Sequence, residues 1–271
     1  MKEISYEESK SIMLDVLSDV SSFCDNNNIL YYLSYGTLIG AIRHKGFIPW
    51  DDDIDIMMPR PDYERFVELY HKKGKYGISS PLVDRDCTFI YSKVYDQRTV
   101  KYEKGIDYTR FPPIGIDIDI FPLDGIPSNI DVATYKKDAR RTYRMCMLMD
   151  RAILGNSKPG TIKGRISTAL LNPVCRMLGK DFFIKRIIRL AKKYSWEQSD
   201  YVHVVFPLVY SMNERYKKEH FLKRIKVDFE DKTFWIPEGY DAILREYYGD
   251  YMQLPPEEKR VTHHANKIFW K

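Results

Sequence analysis

Apolar side chains in the first part of the chain recur at helical intervals. Ile12, Val16, Val20 and Phe23 fall on one face, and Ser5 followed by Glu8 has the spacing of a capping box. Asn26-Asn27-Asn28 ends that helix. Ile29 to Tyr35 is short and rich in aliphatic and aromatic residues, which predicts a buried strand. It runs into Gly36-Thr37, a turn that opens a short helix over Leu38 to Arg43, and Gly46 and Pro49 then interrupt the chain. From Asp53 onward polar and apolar residues alternate, as in a half-buried strand. Asp62 to Tyr70 reads as a helix, Phe89 to Tyr95 as a strand, and Gly115 to Phe121 as another alternating strand. Asp131 to Ser195 reads mostly as helices, broken at Lys158-Pro159-Gly160 and at Asn172-Pro173. Phe229 to Ile236 is a strand or extended stretch, Tyr240 to Tyr248 a helix, and the tail YGDYMQLPPEEKRVTHH a loop.

These elements predict an α+β protein in three stretches: a sheet-bearing core over 1–130, a mainly helical region over 131–226, and a C-terminal element over 227–271 that packs back on the core. Composition narrows this further. With 271 residues and 44% hydrophobic content the chain is too apolar for a disordered polymer. No apolar run reaches the roughly 18 residues that span a bilayer. Acids interrupt the N-terminus where a signal peptide needs an unbroken apolar stretch. Cys24, Cys87, Cys146 and Cys175 lie far apart, so neither a zinc knuckle nor a disulfide framework is expected, and the chain reads as a soluble, cytoplasmic protein. The net charge of +5 conceals an asymmetry. Lys136 to Lys193 holds sixteen Lys/Arg against three Asp/Glu, and the remainder of the chain carries −8. Such a segment is either a solvated helical face or a contact for an anionic partner: phosphate, nucleic acid or a membrane surface.

The chemistry is carried by carboxylates. Residues two apart in a strand share a face, so Asp53 and Asp55 project together while Ile54 and Ile56 point into apolar packing. Asp117 and Asp119 repeat the device against Ile116, Ile118 and Ile120. Like charges at short range raise one another's pKa. A hard divalent cation, Mg²⁺ or Mn²⁺, removes that penalty, and the acidic run lacks the Gly and Glu of an EF-hand loop. A strand ending in Gly36-Thr37 and opening a helix offers backbone N–H groups and a hydroxyl to a phosphate. A Gly-Thr turn, Asp-x-Asp and a third Asp on a separate strand form the arrangement of the nucleotidyltransferase fold.

Three long strings extend this reading. YLSYGTLIGAIRHKGFIPWDDDIDI (Tyr32 to Ile56), GIDIDIFPLDGIP (Gly115 to Pro127) and FEDKTFWIPEGYDAILREYYGDYMQLPP (Phe229 to Pro256) resemble the signature blocks of the LicD family of LicD/fukutin-like phosphotransferases. The resemblance spans nearly the whole chain and is loosest over Asp131 to Lys226. It implies a nucleotidyltransferase-like fold and transfer of a substituted phosphate from a cytidine diphosphate donor to a sugar hydroxyl. In bacterial members the group is typically phosphocholine from CDP-choline, and the acceptor a cell-surface glycan precursor such as teichoic acid or lipopolysaccharide. Ribitol or glycerol phosphate is the alternative cargo. Carried over by position, Asp53, Asp55 and Asp119 are expected to hold two metal ions, with Asp117 in reserve as ligand or base. Gly36 and Thr37 are expected against the donor phosphates with Arg43, His44 and Lys45 nearby, since a guanidinium suits a diphosphate.

Other residues carry weaker signals. Lys93 reaches a phosphate or is a surface lysine. Trp50 forms an aromatic site for a quaternary ammonium or is core packing. His263-His264 approach the site or lie in solvent, and turn formation accounts for Asp250. Residues 160–194 mix Lys/Arg with Leu, Ile and Phe, as a helix lying on the inner face of a membrane does, and a lipid-linked acceptor would fit there. Three other readings stay open: a metal-dependent glycosyltransferase, a nucleotidyltransferase acting on RNA or a small molecule, and a binding module without activity. Nucleic acid is not the expected partner.

Overall fold

A computed structural model describes residues 1–70, 74–84, 87, 89–102, 108, 112–126, 132–149, 162–204, 215–262 and 267–271. Helix α1 spans Tyr6–Asn26, and Ser5 caps it by accepting the Glu8 N–H at 3.1 Å. The Glu8 carboxylate accepts the Trp270 indole N–H at 3.1 Å, tying the two ends of the chain together. Asn27 caps the other end and Asn28 turns left-handed at φ 52°, a conformation that asparagine tolerates.

The predicted strand over Ile29 to Tyr35 shrinks to β1, Tyr32–Leu33. The Leu30 N–H is taken by the Asp62 carboxylate instead of a neighbouring strand, and Tyr35 adopts φ 46°, which turns the chain out of the sheet. Helix α2, Tyr35–Ile39, therefore starts earlier than expected and continues as a π-helical turn over Gly40–His44. Gly36 and Thr37 thus lie inside its first turn.

Strand β2, Asp55–Pro59, leads directly into α3, Arg60–Leu69. Asp53 precedes the strand, although the ladder reaches Ile54, whose carbonyl accepts the Asp119 N–H. Strands β3 (Tyr76–Ser79) and β5 (Thr99–Tyr102) carry too little alternation to have been foreseen, and β4 is Ser92–Asp96. Strand β6 is Asp117–Ile126, five residues longer at its end than the sequence pattern indicated. Pro122 sits where β6 exchanges one antiparallel neighbour for another, so its missing N–H interrupts neither of those ladders.

Helix α4 is Val132–Met149 and α5 is Ile162–Ala191. The break expected at Asn172-Pro173 is absent. Pro173 and Ala169 lie on an exposed side of the helix, which instead kinks at Gly179 (φ 73°, ψ 165°). The expected break at Lys158-Pro159-Gly160 lies outside the described residues.

Strands β7 (Tyr201–Val204) and β8 (Tyr216–Lys217) follow. The stretch expected as one strand over Phe229 to Ile236 is a hairpin of β9 (Arg224–Phe229) and β10 (Lys232–Pro237). Its turn places Glu230 at φ 56°, which lacks the glycine that usually marks such a reversal. Helix α6, Tyr240–Tyr248, lies where its periodicity put it, and β11, Lys267–Trp270, ends the chain.

The main sheet runs β1-β2-β6-β4-β3, with β7 and then β8 added beside the second half of β6. Strand β2 is parallel to β6; β1, β4 and β7 run antiparallel to their partners. One core packs Val16, Leu17 and Val20 of α1 and Phe66 of α3 with Ile54, Ile56, Ile118 and Ile120, and Phe229, Phe234 and Leu244 of the C-terminal element join it. Met57, Phe121 and Leu123 belong to a second core with Phe183, Ile184 and Ile187 of α5. The result is a mixed α+β architecture consistent with a nucleotidyltransferase-like domain. Cys24, Cys87 and Cys175 are buried free thiols. No helix among the described residues is long and apolar enough to cross a membrane.

Candidate active site

The parallel pairing of β2 with β6 sets Asp55 directly beside Asp119, and the antiparallel pairing of β4 with β6 sets Lys93 on the other side of Asp119. Adjacent strands lie about 4.8 Å apart, so Asp55, Asp119 and Lys93 form one row across the sheet. Ile54, Ile56, Ile118 and Ile120, on the opposite face, are almost wholly buried, and this fixes the direction of the acids.

Lys93 is itself buried, and its ammonium donates to Asp117 Oδ2 at 2.6 Å and Asp119 Oδ1 at 2.5 Å. Lys101, from β5, forms a second ion pair with Asp117. Burial pushes the Asp117 carboxyl up, but Lys101 and Lys93 outweigh it and hold the group at about 2. Asp119 pairs with Lys93. Burial, helped by the charge of Asp117, pushes it up to about 6. Asp55 is raised well above the ordinary carboxylate range by burial and by the charges of Asp53, Asp119 and Asp51. Asp51, which the sequence reading did not single out, is pushed up to about 7 by burial and by Asp53 and Asp52. Full ionisation would give the cluster more negative charge than its lysines neutralise, so burial and mutual repulsion favour retention of protons on part of it.

Around these acids the chain is locally constrained. The Asp55 N–H donates to Thr37 Oγ1 at 2.9 Å, and the Ser34 N–H donates to the Asp55 carbonyl at 3.0 Å. Thr37 is buried and lines neither cavity, and its hydroxyl helps to position Asp55. Gly36 does line the site, and a Cβ there would collide with the Asp51 carboxylate. Tyr35, at φ 46°, is backbone strain worth about 1–3 kcal/mol at the point where the strand turns into the helix.

Two cavities meet at Asp53. The smaller, of about 260 Å³, is lined by Asp52, Asp117, Asp119, Lys93, Lys101 and Tyr91 among others. The larger, of about 610 Å³, is lined by Gly36, Arg43, Asp51 and Asp55 with the aromatic rings of Tyr35, Trp50, Tyr248 and Tyr251. Arg43 donates to the Tyr251 carbonyl at 2.6 Å and so ties the π-helical turn to the C-terminal block. Trp50 has the Arg260 guanidinium over its ring at 5.7 Å and the His44 ring at its edge. An aromatic site for a quaternary ammonium at Trp50 would compete with Arg260. His44 and Lys45 line neither cavity; Lys45 ends the π-helical turn and its carbonyl accepts the Glu230 N–H. Asp250 lines the larger cavity in addition to forming a turn. His263 and His264 lie outside the described residues. Asp51 was legible as the first acid of the Asp51-Asp52-Asp53 run. Lys101 had no local signal, because it arrives from a strand paired with the chain end.

The residues fit a hard cation in chemistry more than in present placement. The oxygens of Asp53, Asp55 and Asp119 are the ligands that Mg²⁺ or Mn²⁺ prefers, and their mutual repulsion is what such an ion relieves. As placed, no three His, Cys, Asp or Glu side chains among the described residues form a ready metal cage, and the positive charge on Asp119 is the Lys93 ammonium.

Residues 28–150 match the family model described as LicD/FKTN/FKRP, nucleotidyltransferase domain. The chain is 33% identical over 276 aligned positions, covering 99% of both proteins, to the lipopolysaccharide cholinephosphotransferase LicD of Haemophilus influenzae. An uncharacterised protein of Rickettsia typhi is 37% identical over 78 residues, 28% of this chain and 25% of its own length.

Proposed function

Because this chain belongs to the LicD family, we propose that it is a phosphotransferase that moves phosphocholine from CDP-choline to a sugar hydroxyl of a lipopolysaccharide-type glycan, releasing CMP. The observation that carries the reading is the end-to-end similarity to a cholinephosphotransferase. The paired acids between two cavities support it.

Transfer of a phosphoryl group depends on alignment and on neutralising the charge of the equatorial oxygens. Asp53, Asp55 and Asp119 are the residues that would hold divalent metal, which supplies Lewis-acid neutralisation of the donor diphosphate and acidifies the attacking hydroxyl. The larger cavity is of a size that suits the nucleotide donor. There Arg43 brings positive charge and the tyrosines an apolar wall. The acceptor enters from the side of Lys93 and Lys101. The sugar oxygen forms a bond to the phosphorus bearing choline as the bond to CMP breaks, and the hydroxyl proton passes to a carboxylate. Asp119 suits that proton better than Asp117, which two lysines hold ionised.

The reading is tested by incubating the protein and Mg²⁺ with CDP-choline, CDP-glycerol or CDP-ribitol and with lipopolysaccharide or teichoic-acid acceptors, following CMP release and the mass of the acceptor. Transfer from CDP-choline to lipopolysaccharide is the expected result. Transfer from CDP-glycerol or CDP-ribitol alone would replace the choline assignment, and teichoic acid as sole acceptor would replace the lipopolysaccharide one.

A further inference from the structure

Helix α5 changes character at Gly179. Beyond the kink, Phe183, Ile184, Ile187 and Ala191 are buried against the second core, whereas Lys185, Arg186 and Arg189 are exposed. Before the kink the pattern inverts. Leu170, Leu171, Val174, Met177 and Leu178 are exposed, Leu170 and Met177 at 73% and 80%. At 3.6 residues per turn these five side chains fall within an arc of about 120°. That is the stripe by which a helix ordinarily faces a core, yet here it faces outward. Phe182, also exposed, extends it past the kink.

Exposed single apolar residues need no explanation, but a continuous stripe on one helix does. Its surroundings identify what covers it. From Ala169 to Tyr194 the chain carries seven Lys/Arg and one acid, Asp181. A second copy of this chain would bring two such basic faces together and repel. The stripe is a convex helix face, which a fluid apolar layer accommodates without shape complementarity. No helix among the described residues is long and apolar enough to cross a membrane, and an apolar stripe along one face of a helix suits lying on a bilayer surface. We propose that the first half of α5 inserts its apolar stripe into the surface of an anionic bilayer, with Lys185, Arg186 and Arg189 on the phosphates, and that the buried second half holds this docking element on the catalytic body. The proposal rests on α5 alone and stands whatever group the enzyme transfers.

The full chain is sedimented with vesicles of phosphatidylcholine alone or of an equal mixture with phosphatidylglycerol, and its mass in solution is measured by analytical ultracentrifugation. The expected result is binding to the anionic vesicles, weaker by about tenfold or more on the neutral ones. Leu170→Asp with Met177→Asp should lower the anionic-vesicle affinity by about tenfold or more, and so should Lys185→Glu with Arg186→Glu. All these side chains are exposed, so circular dichroism and the melting temperature should stay at the parent values. Binding indifferent to lipid charge, or unchanged in either double variant, would overturn the proposal. So would a dimer of the parent protein that the Leu170/Met177 variant dissociates, since a second copy would then cover the stripe.

Discussion

On the proposed reading, Asp55 is where function and stability pull against each other. Its carboxyl is raised by burial and by three neighbouring acids, so the unfolded state sheds its proton more readily and folding is opposed at neutral pH. Asp55→Asn should therefore raise the melting temperature, by about 2–4 °C for each kcal/mol relieved, while lowering turnover about a thousandfold or more. Calorimetry and CMP release measure both; a variant that loses stability along with activity would contradict this account of the cluster. Thr37 gives a second prediction. Thr37→Val keeps the shape but removes the acceptor for the Asp55 N–H, and should cost about 1–3 kcal/mol in denaturant titration with a reduced turnover number. The alternation of acid and isoleucine that placed Asp55 and Asp119 was legible, because period two is a property of neighbouring residues. The roles of Thr37, Lys93 and Lys101 were not, because each depends on a partner 16 or more residues away.

Among the elements, the second half of β6 carries a buried ion pair that ties α3 to the sheet. Arg60, at the start of α3, donates two hydrogen bonds of 2.7 Å to Asp124, and Asp124 stands opposite His203 of β7. Burial lowers the His203 imidazole to about 4; Asp124 opposes the shift and Arg60 adds to it. A histidine lowered on folding takes up its proton more readily when unfolded. Its contribution is complete above about pH 6.5 and is lost as pH falls from there to about 4, at up to about 1.4 kcal/mol per unit. Denaturation of the parent and His203→Gln across that window should show the smaller acid-induced loss in the variant, and parallel curves would refute the buried neutral imidazole. Helix periodicity was readable for α1 and α6. Local patterning failed for β3, β5 and the β9–β10 turn, which lack alternation or the usual turn residues, and at Pro173, which the helix carries through before kinking at Gly179 instead.

At the scale of the whole molecule the two chain ends close the smaller cavity. Strand β11 pairs with β5, which carries Lys101, while Ile4 and Trp270 exchange backbone hydrogen bonds with Ile268 and Lys2. Deleting residues 267–271 should cost about 3 kcal/mol or more, roughly 6–12 °C in melting temperature. It should also lower activity more than tenfold by freeing Lys101; full activity in the truncated protein would show that Lys101 is not needed there. By itself the sequence determined the α+β class, the directions of the acid pairs and the family, because these follow from local periodicity and from long contiguous strings. Tertiary structure alone decided that Lys93 and Lys101 share Asp117, that two cavities meet at Asp53, and that one half of α5 turns its apolar stripe outward. Those arrangements depend on strand pairing and on which helix face a core has room to cover, and neither is encoded within any single stretch of the chain.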